Sequence, residues 1–328
     1  MSQKRPRFSV PSPNRTRRFE KNIGRNEAKS SSLGKLLYRL GDYAFVSPAL
    51  FLVASLLLAS GVFTFVISFT SWNLIGDPEP VGLENYEKLL TDSTTRLSLL
   101  NTIVWVIGSL ALPVAGGLLL AVFLESVPLR GLWKAVIYLP VVIAPTVTGV
   151  IWKQILGLRG PLNEVLAALG LEDWQREWLT DTPLNTFVMV IVSTWRTIGP
   201  AMVLFLIALQ TIPRETIEAG LLDGAGPLRM FLNVKLPQIR PILVVVVTMS
   251  VVNSFATYDF VWVMTQGGPY QSSETLAVTI YRLAFSQWQV GFASALAVLL
   301  SVVTLAFSII YIWRGIERQG SSTQGGSK

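Results

Sequence analysis

Cysteine and histidine are both absent from the 328 residues. Without cysteine there is no disulfide, no thiolate metal site and no cysteine nucleophile. Without histidine the chain lacks the commonest metal ligand and the usual general base near neutral pH. Ser, Asp and Glu remain, but nothing groups them into a triad or a carboxylate pair, so no catalytic and no metal-binding residue is assigned. Charge is scarce as well: 14% of residues are charged against 51% hydrophobic, which points away from a globular enzyme and toward an all-α, polytopic membrane protein. No GxxxxGK[ST] segment occurs, since the lone Gly34-Lys35 is followed by Leu36. The chain therefore has no P-loop, and any ATP hydrolysis falls to another subunit.

Long apolar runs are what the sequence has instead. Windows of about 20 residues give six candidate spans, near 44–69, 98–124, 133–157, 185–209, 239–264 and 290–313. Lys153 and Arg196 interrupt the third and fourth, and Pro113, Pro140, Pro145 and Pro200 lie inside spans. Membrane helices tolerate such prolines where neighbours satisfy the freed backbone groups. Placing both termini inside puts 20 of the 27 basic residues on the cytoplasmic side, and leaves five bases beside 11 acids outside. That asymmetry is the positive-inside pattern.

The first 43 residues are basic, polar and rich in Ser, Pro and Asn. They read as a leader beside anionic lipid rather than as a nucleic-acid arm. They are not a cleavable signal peptide, because the charged part is too long and the next apolar run can span a bilayer. The expected organisation is a cytoplasmic tail (1–43), a six-span domain (44–315) with a cytoplasmic loop at 210–238, and a second tail (316–328).

That loop, on the basic side, carries the most information. Pro213 opens a short helix with Glu215 and Glu218 in its early turns, where the dipole favours anions. Asp223-Gly224-Ala225-Gly226-Pro227 forces a turn. Leu228 to Val234 reads as a second short helix, with Asp223 a candidate cap. Glu218-Ala219-Gly220, then Gly224, Val234 and Leu236-Pro237 resemble, in every spacing, the EAA loop of the inner-membrane permeases of bacterial ABC importers. Gly220 stands for a small Ala and Val234 for Ile. The resemblance implies a type I ABC importer permease fold, in which this loop docks on a cytoplasmic ATPase. Glu218 would then orient the helix or pair with a cation, Gly224 would permit the turn, and Ala219 and Gly220 would allow close approach of the partner. The alternative is an amphipathic helix lying on the membrane surface; Glu215, Glu218 and Asp223 make a poor lipid-facing stripe.

Further segments are similar to the carbohydrate-type permeases related to the maltose and glycerol-3-phosphate systems. They are Leu100-Asn101-Thr102, Arg130-Gly131, Tyr138-Leu139-Pro140, Gly160-Pro161-Leu162-Asn163, Trp178-Leu179, Leu209-Gln210-Thr211-Ile212-Pro213, Thr265-Gln266-Gly267-Gly268-Pro269, Glu274-Thr275-Leu276 and Phe292-Ala293-Ser294-Ala295-Leu296. The likeness covers about residues 44–315, and the Gly-Gly-Pro segment resembles the first of two permeases. It implies a second permease subunit, two ATPase subunits that hold ATP and Mg, an extracytoplasmic solute-binding protein, the lipid bilayer of a bacterial inner membrane, and no nucleic acid. Gly267-Gly268-Pro269 ends a span; it is either a turn alone or part of the surface that meets the binding protein.

Intramembrane polar residues are costly and tend to face a cavity or a partner. Arg196 lies near the middle of the fourth span beside Trp195; Asn253, Tyr258 and Asp259 lie in the fifth, near Trp262. Hydrogen-bonding groups beside aromatic faces suit a sugar path. An Arg196–Asp259 ion pair, an inter-subunit contact and snorkelling by Asp259 are the structural alternatives. Trp133, Trp152, Trp178, Trp288 and Trp313 near span ends read as interfacial anchors. The function that follows is a non-enzymatic permease subunit of an ATP-driven sugar importer. An autonomous secondary transporter or channel is the alternative; it would need an ion relay and often internal repeats, and Asp259 is the one clear intramembrane acid. A membrane scaffold or sensor would need an output domain, and none is recognisable.

Overall fold

The computed structural model describes residues 46–324, so the 1–43 leader lies outside the described residues. The chain divides into two units between Phe63 and Thr64. In the first, residues 46–63 belong to helix α1 (Val46–Ile67). All of these side chains are exposed, and an apolar helix with no polar stripe is the form that suits lipid on every side.

The second unit is helical, with no strand among the described residues beyond an isolated bridge between Thr70 and Pro80. A short helix α2 (Glu84–Thr91) precedes α3 (Ser93–Ser126). Asp92 starts α3 by accepting the Thr95 N–H at 2.7 Å, an N-cap that satisfies one of the orphan donors of the first turn. Pro113 can donate no N–H and its ring crowds the preceding turn; α3 absorbs it in a wide π-helical stretch, Ala111–Ala115, and stays one span. The polar opening Ser93–Leu97, outside the predicted 98–124, is therefore helical too.

The third predicted span is not one helix. Helix α4 (Arg130–Val142) and helix α5 (Pro145–Ile155) meet at 96°. Pro145 pushes the residue before it out of the helical region, and Ala144 is extended at ψ 143°. After α6 (Pro161–Ala168), helix α7 (Leu184–Gln210) crosses with Pro200 inside it. Helices α8 (Arg214–Leu222) and α9 (Pro227–Gln238) form the predicted helix–turn–helix, and α10 (Arg240–Phe255) leaves α9 at 76°. The fifth span also breaks, at 256–258, before α11 (Asp259–Met264). Ser254 and Thr257 each hydrogen-bond back to the carbonyl four residues earlier, which loosens a helix end. Thr275 Oγ1 then donates to the Thr257 carbonyl at 2.8 Å. Helix α12 (Leu276–Ser286) is short, and α13 (Val290–Gln324) continues well into the predicted 316–328 tail.

Helix α7 organises the core. One end packs Met202, Phe205 and Leu206 against Ala121, Leu124 and Val246. The other packs Met189 and Val192 against Trp105, Phe260 and Val278. Lipid is as apolar as leucine, so spans associate through close packing and small residues. Gly117 supplies that here: a Cβ on it would sit 2.8 Å from Ala201 Cβ and 2.9 Å from Met202 N. Gly199 does the same where α7 meets α4, at the Tyr138 backbone.

Candidate coupling loop and translocation path

Helix α8 stops as its sequence requires. Gly224 has φ +72°, the left-handed conformation glycine adopts without a Cβ penalty. The Ala225 N–H bonds to Gly220 O and the Gly224 N–H to Leu221 O, both at 3.0 Å. This paired pattern is the Schellman motif, and it fixes the direction in which α9 departs. Asp223 is the C-terminal cap position of α8, not the cap of the next helix; that place belongs to Gly226, with no side-chain cap bond. Gly220 is buried, and a Cβ there would meet Met230 Cε at 2.9 Å. Its smallness admits a residue of α9 rather than a partner.

Glu218 and Ala219 are exposed. The ion pairs among the described residues are Arg176–Asp181, Lys235–Glu125 and Arg282–Glu274, so Glu218 has none. Leu221, Leu222 (89% exposed) and Leu228 project around the turn, an apolar knob beside the unpaired carboxylate. Behind it, Lys235 Nζ meets Glu125 Oε2 at 2.6 Å, linking α9 to the last turn of α3. Sequence reasoning missed this pair, which spans 110 positions. The available signal was Glu125 itself, since an anion at a helix C-terminus costs about 0.3–1 kcal/mol unless a cation offsets it.

Arg196 does not pair with Asp259. Its Nε donates to Ile143 O at 3.0 Å and its Nη2 to Val141 O at 3.5 Å. Those carbonyls are freed where α4 ends and the chain turns into α5, and backbone at membrane depth must be satisfied inside the protein. The cation thus closes the break in the third span. Trp195 stacks edge-on against Trp152, centroids 5.6 Å apart. Asn253 and Asp259 are exposed, and Tyr258 is half-buried. Tyr258 lies in an aromatic group with Trp262 (5.7 Å) and Tyr281 (5.1 Å), which Phe285 extends. Of the five predicted path residues, Tyr258 lies in this group, while Arg196 is engaged by the carbonyls of the α4–α5 break. Trp152 and Trp178 are half-buried against the core, the latter donating to Asn163 Oδ1 at 2.9 Å. Trp133, Trp288 and Trp313 are exposed.

The Gly-Gly-Pro loop is held from several sides. Asn101 donates to Ser272 O (2.8 Å) and Glu274 O (3.0 Å), and Thr102 accepts the Leu276 N–H at 3.0 Å. Asn185 reaches Gly268 O at 3.3 Å and Ser272 Oγ at 3.1 Å. Beneath, the side chain of Glu274 is fully buried, 3.1 Å from Arg282, which also donates to Gln266 O at 2.7 Å. Neither Glu274 oxygen receives a well-aligned donor, so this is a charge contact. Burial raises the Glu274 carboxyl above the usual glutamate range, against the opposing pull of Arg282. In the same loop Tyr270 is 99% exposed, with φ +49°. A cleft of about 400 Å³ beside it is lined by Lys153, Glu177, Leu179, Gly268 and Pro269.

The family profile described as binding-protein-dependent transport system inner membrane component matches residues 28–315. The chain belongs to that family. Among the relatives of this permease, the probable ABC transporter permease protein YurN of Bacillus subtilis is 32% identical over 275 residues, covering 81% of this chain and 94% of the relative. The arabinooligosaccharides transport system permease protein AraP of the same organism is 30% identical over 290 residues, 86% and 92% of the two chains. A solved bacterial ABC transporter involved in import of the acidic polysaccharide alginate superposes on the permease with a TM-score of 0.75, at 19% identity, over 87% of this chain and 98% of that one. The fold is that of an ABC importer permease, and the protein is a multi-pass membrane component of such a system.

Proposed function

We propose that this permease forms half of the pathway of an ATP-driven importer of sugars or sugar-derived solutes, and that the α8–α9 loop couples it to the ATPase. The observation that carries the reading is the loop itself. Its helix stop leaves three leucines projecting among exposed charges that form no ion pair, Glu215, Glu218 and Asp223 among them, a surface with apolar anchors and free charge. Such a surface is costly in water and suits a protein groove. The lysine and arginine bias puts the loop and both termini on the cytoplasmic side. The partners are a second permease subunit, two ATPases carrying ATP and Mg, and an extracytoplasmic solute-binding protein that meets the Gly-Gly-Pro side.

When the ATPases close on ATP, they displace α8 and α9; because Gly220 seats Met230, the two helices move together. The spans then rock from inward- to outward-facing, and hydrolysis resets them. Asn253, Tyr258 and Asp259 line the solute path, with the aromatic faces of Trp262, Tyr281 and Phe285 offered to sugar rings. Trp195 borders it, and Arg196 braces the break in the third span. Carbohydrate as the solute is supported by relatives such as AraP. The chain supplies no hydrolytic chemistry of its own.

The test is to isolate the complex from its native membrane in mild detergent and measure ATP-dependent uptake after reconstitution. Recovery of a second six-span subunit and a P-loop ATPase, with uptake that requires ATP, is the expected result. A lone oligomer that transports on an ion gradient would overturn it.

A further inference from the structure

Movement of the coupling loop has to reach the spans through contacts that resist both pushing and pulling. Helix α9 has two kinds of contact with its surroundings. One is apolar: Met230 over Gly220 on α8, and Leu236 against the core cluster that holds Leu124 and Val246. The other is the pair of Lys235 Nζ and Glu125 Oε2 at 2.6 Å, with side chains only 19% and 27% exposed. Both partners stand in telling places. Glu125 lies in the last turn of α3, where the helix dipole disfavours an anion. Lys235 closes a π-helical stretch of α9, Met230–Lys235, and such widened turns re-aim the side chains around them.

Helix α3 leads on from this contact. It is one span of 34 residues, about 50 Å at the usual rise per residue. Near its opposite end, Asn101 and Thr102 hold the Gly-Gly-Pro loop through three hydrogen bonds. The same helix is thus gripped by the coupling loop at one end and grips the opposite loop at the other.

We infer that Lys235 and Glu125 form a strut that passes displacement of the coupling loop to α3, and through α3 to the Gly-Gly-Pro loop; both are positioning residues for the transport cycle. The inference rests on the importer reading above. The pair is partly sheltered from solvent, so it is screened less by salt than a surface pair.

The experiment uses the whole complex reconstituted in liposomes, with uptake and ATP hydrolysis measured on the same preparation. Glu125→Gln and Lys235→Met each remove one charge. Each is expected to lower transport per ATP by about five-fold or more, the lower end of measured site-to-site couplings, with the ATPase still retained. Reversing the pair with E125K and K235E together should restore most of the coupling. Glu125→Asp, which keeps the charge but withdraws it by one methylene, guards against variants that fail to accumulate; it should lower transport per ATP at unchanged abundance. Unchanged transport per ATP in the single variants or in Glu125→Asp, or a reversed pair no better than the singles, would overturn the strut. Those outcomes leave the importer reading intact, because that reading fails only if the wild-type complex contains no ATPase or transports without ATP.

Discussion

The two ends of this permease are built on opposite principles. At the α8–α9 end, few polar contacts hold the loop: one ion pair, one helix stop and a glycine that seats a methionine. Leu221, Leu222 and Leu228 are exposed there. At the Gly-Gly-Pro end, the loop is tied by Asn101, Thr102, Asn185, Thr265 and Arg282, and the polar groups are turned inward. A surface with unsatisfied apolar area is completed by whatever docks there, whereas a surface that satisfies itself presents a fixed shape. The contrast suits the proposed roles: induced movement at the first end and recognition by a rigid platform at the second.

The largest effect that would break this contrast lies at the knob. Leu222→Asp with Leu228→Asp should cost at least about 2 kcal/mol of ATPase affinity, roughly thirty-fold, as for interface hot spots. Co-purification of the ATPase would fall while the melting temperature of the permease stays put, because neither leucine is packed within the chain. The opposite pattern is expected of Asn101→Ala. It strips a donor from two carbonyls, and each orphaned buried group costs about 1–3 kcal/mol. The melting temperature should drop while ATPase retention is kept. If Asn101→Ala instead releases the ATPase and leaves stability alone, the division of labour between the ends is wrong. A smaller effect tests the turn. Gly224→Ala forces a side chain into the left-handed region at about 1–2 kcal/mol, and should weaken ATPase retention in proportion, because α9 leaves α8 in a new direction.

Much of this was legible in the sequence for identifiable reasons. The long apolar helices follow from apolar run length, a one-dimensional property; among the described residues four are long enough to cross a membrane, or up to six if each bent pair is one span. The turn of the coupling loop follows from Gly224 and Pro227, whose constraints are local. What escaped was three-dimensional. Pro145 announces a break in the third span, but not that Arg196 would reach across from α7 to hold the freed carbonyls. An arginine and an aspartate in neighbouring spans invited a pairing that the structure replaces with cation-to-backbone bonds. Gly220 looked like space for a partner because the spacing names a small residue without saying what fills the space. Asn185 and Arg282, both supports of the Gly-Gly-Pro loop, carry no motif that sets them apart.

The smallest effect sharpens the contrast through pH. Glu274 is fully buried beneath the Gly-Gly-Pro loop, and burial raises its carboxyl above the usual glutamate range despite Arg282 at 3.1 Å. An acid whose folded value exceeds its unfolded one binds its proton more tightly in the folded state. Its stabilising contribution is complete below the unfolded value, near pH ~4.3, and is lost as pH rises through the elevated folded value. The outer loop should therefore become more stable as pH falls from neutral into the mildly acidic range. Glu274→Gln removes the titration, so the melting temperature should lose that part of its pH dependence, while the Arg282 bond to Gln266 O persists. A melting profile of Glu274→Gln that tracks the wild type across this range would show that Arg282, not burial, sets the charge of Glu274, and that the outer platform is held by an ion pair much like the one at the other end.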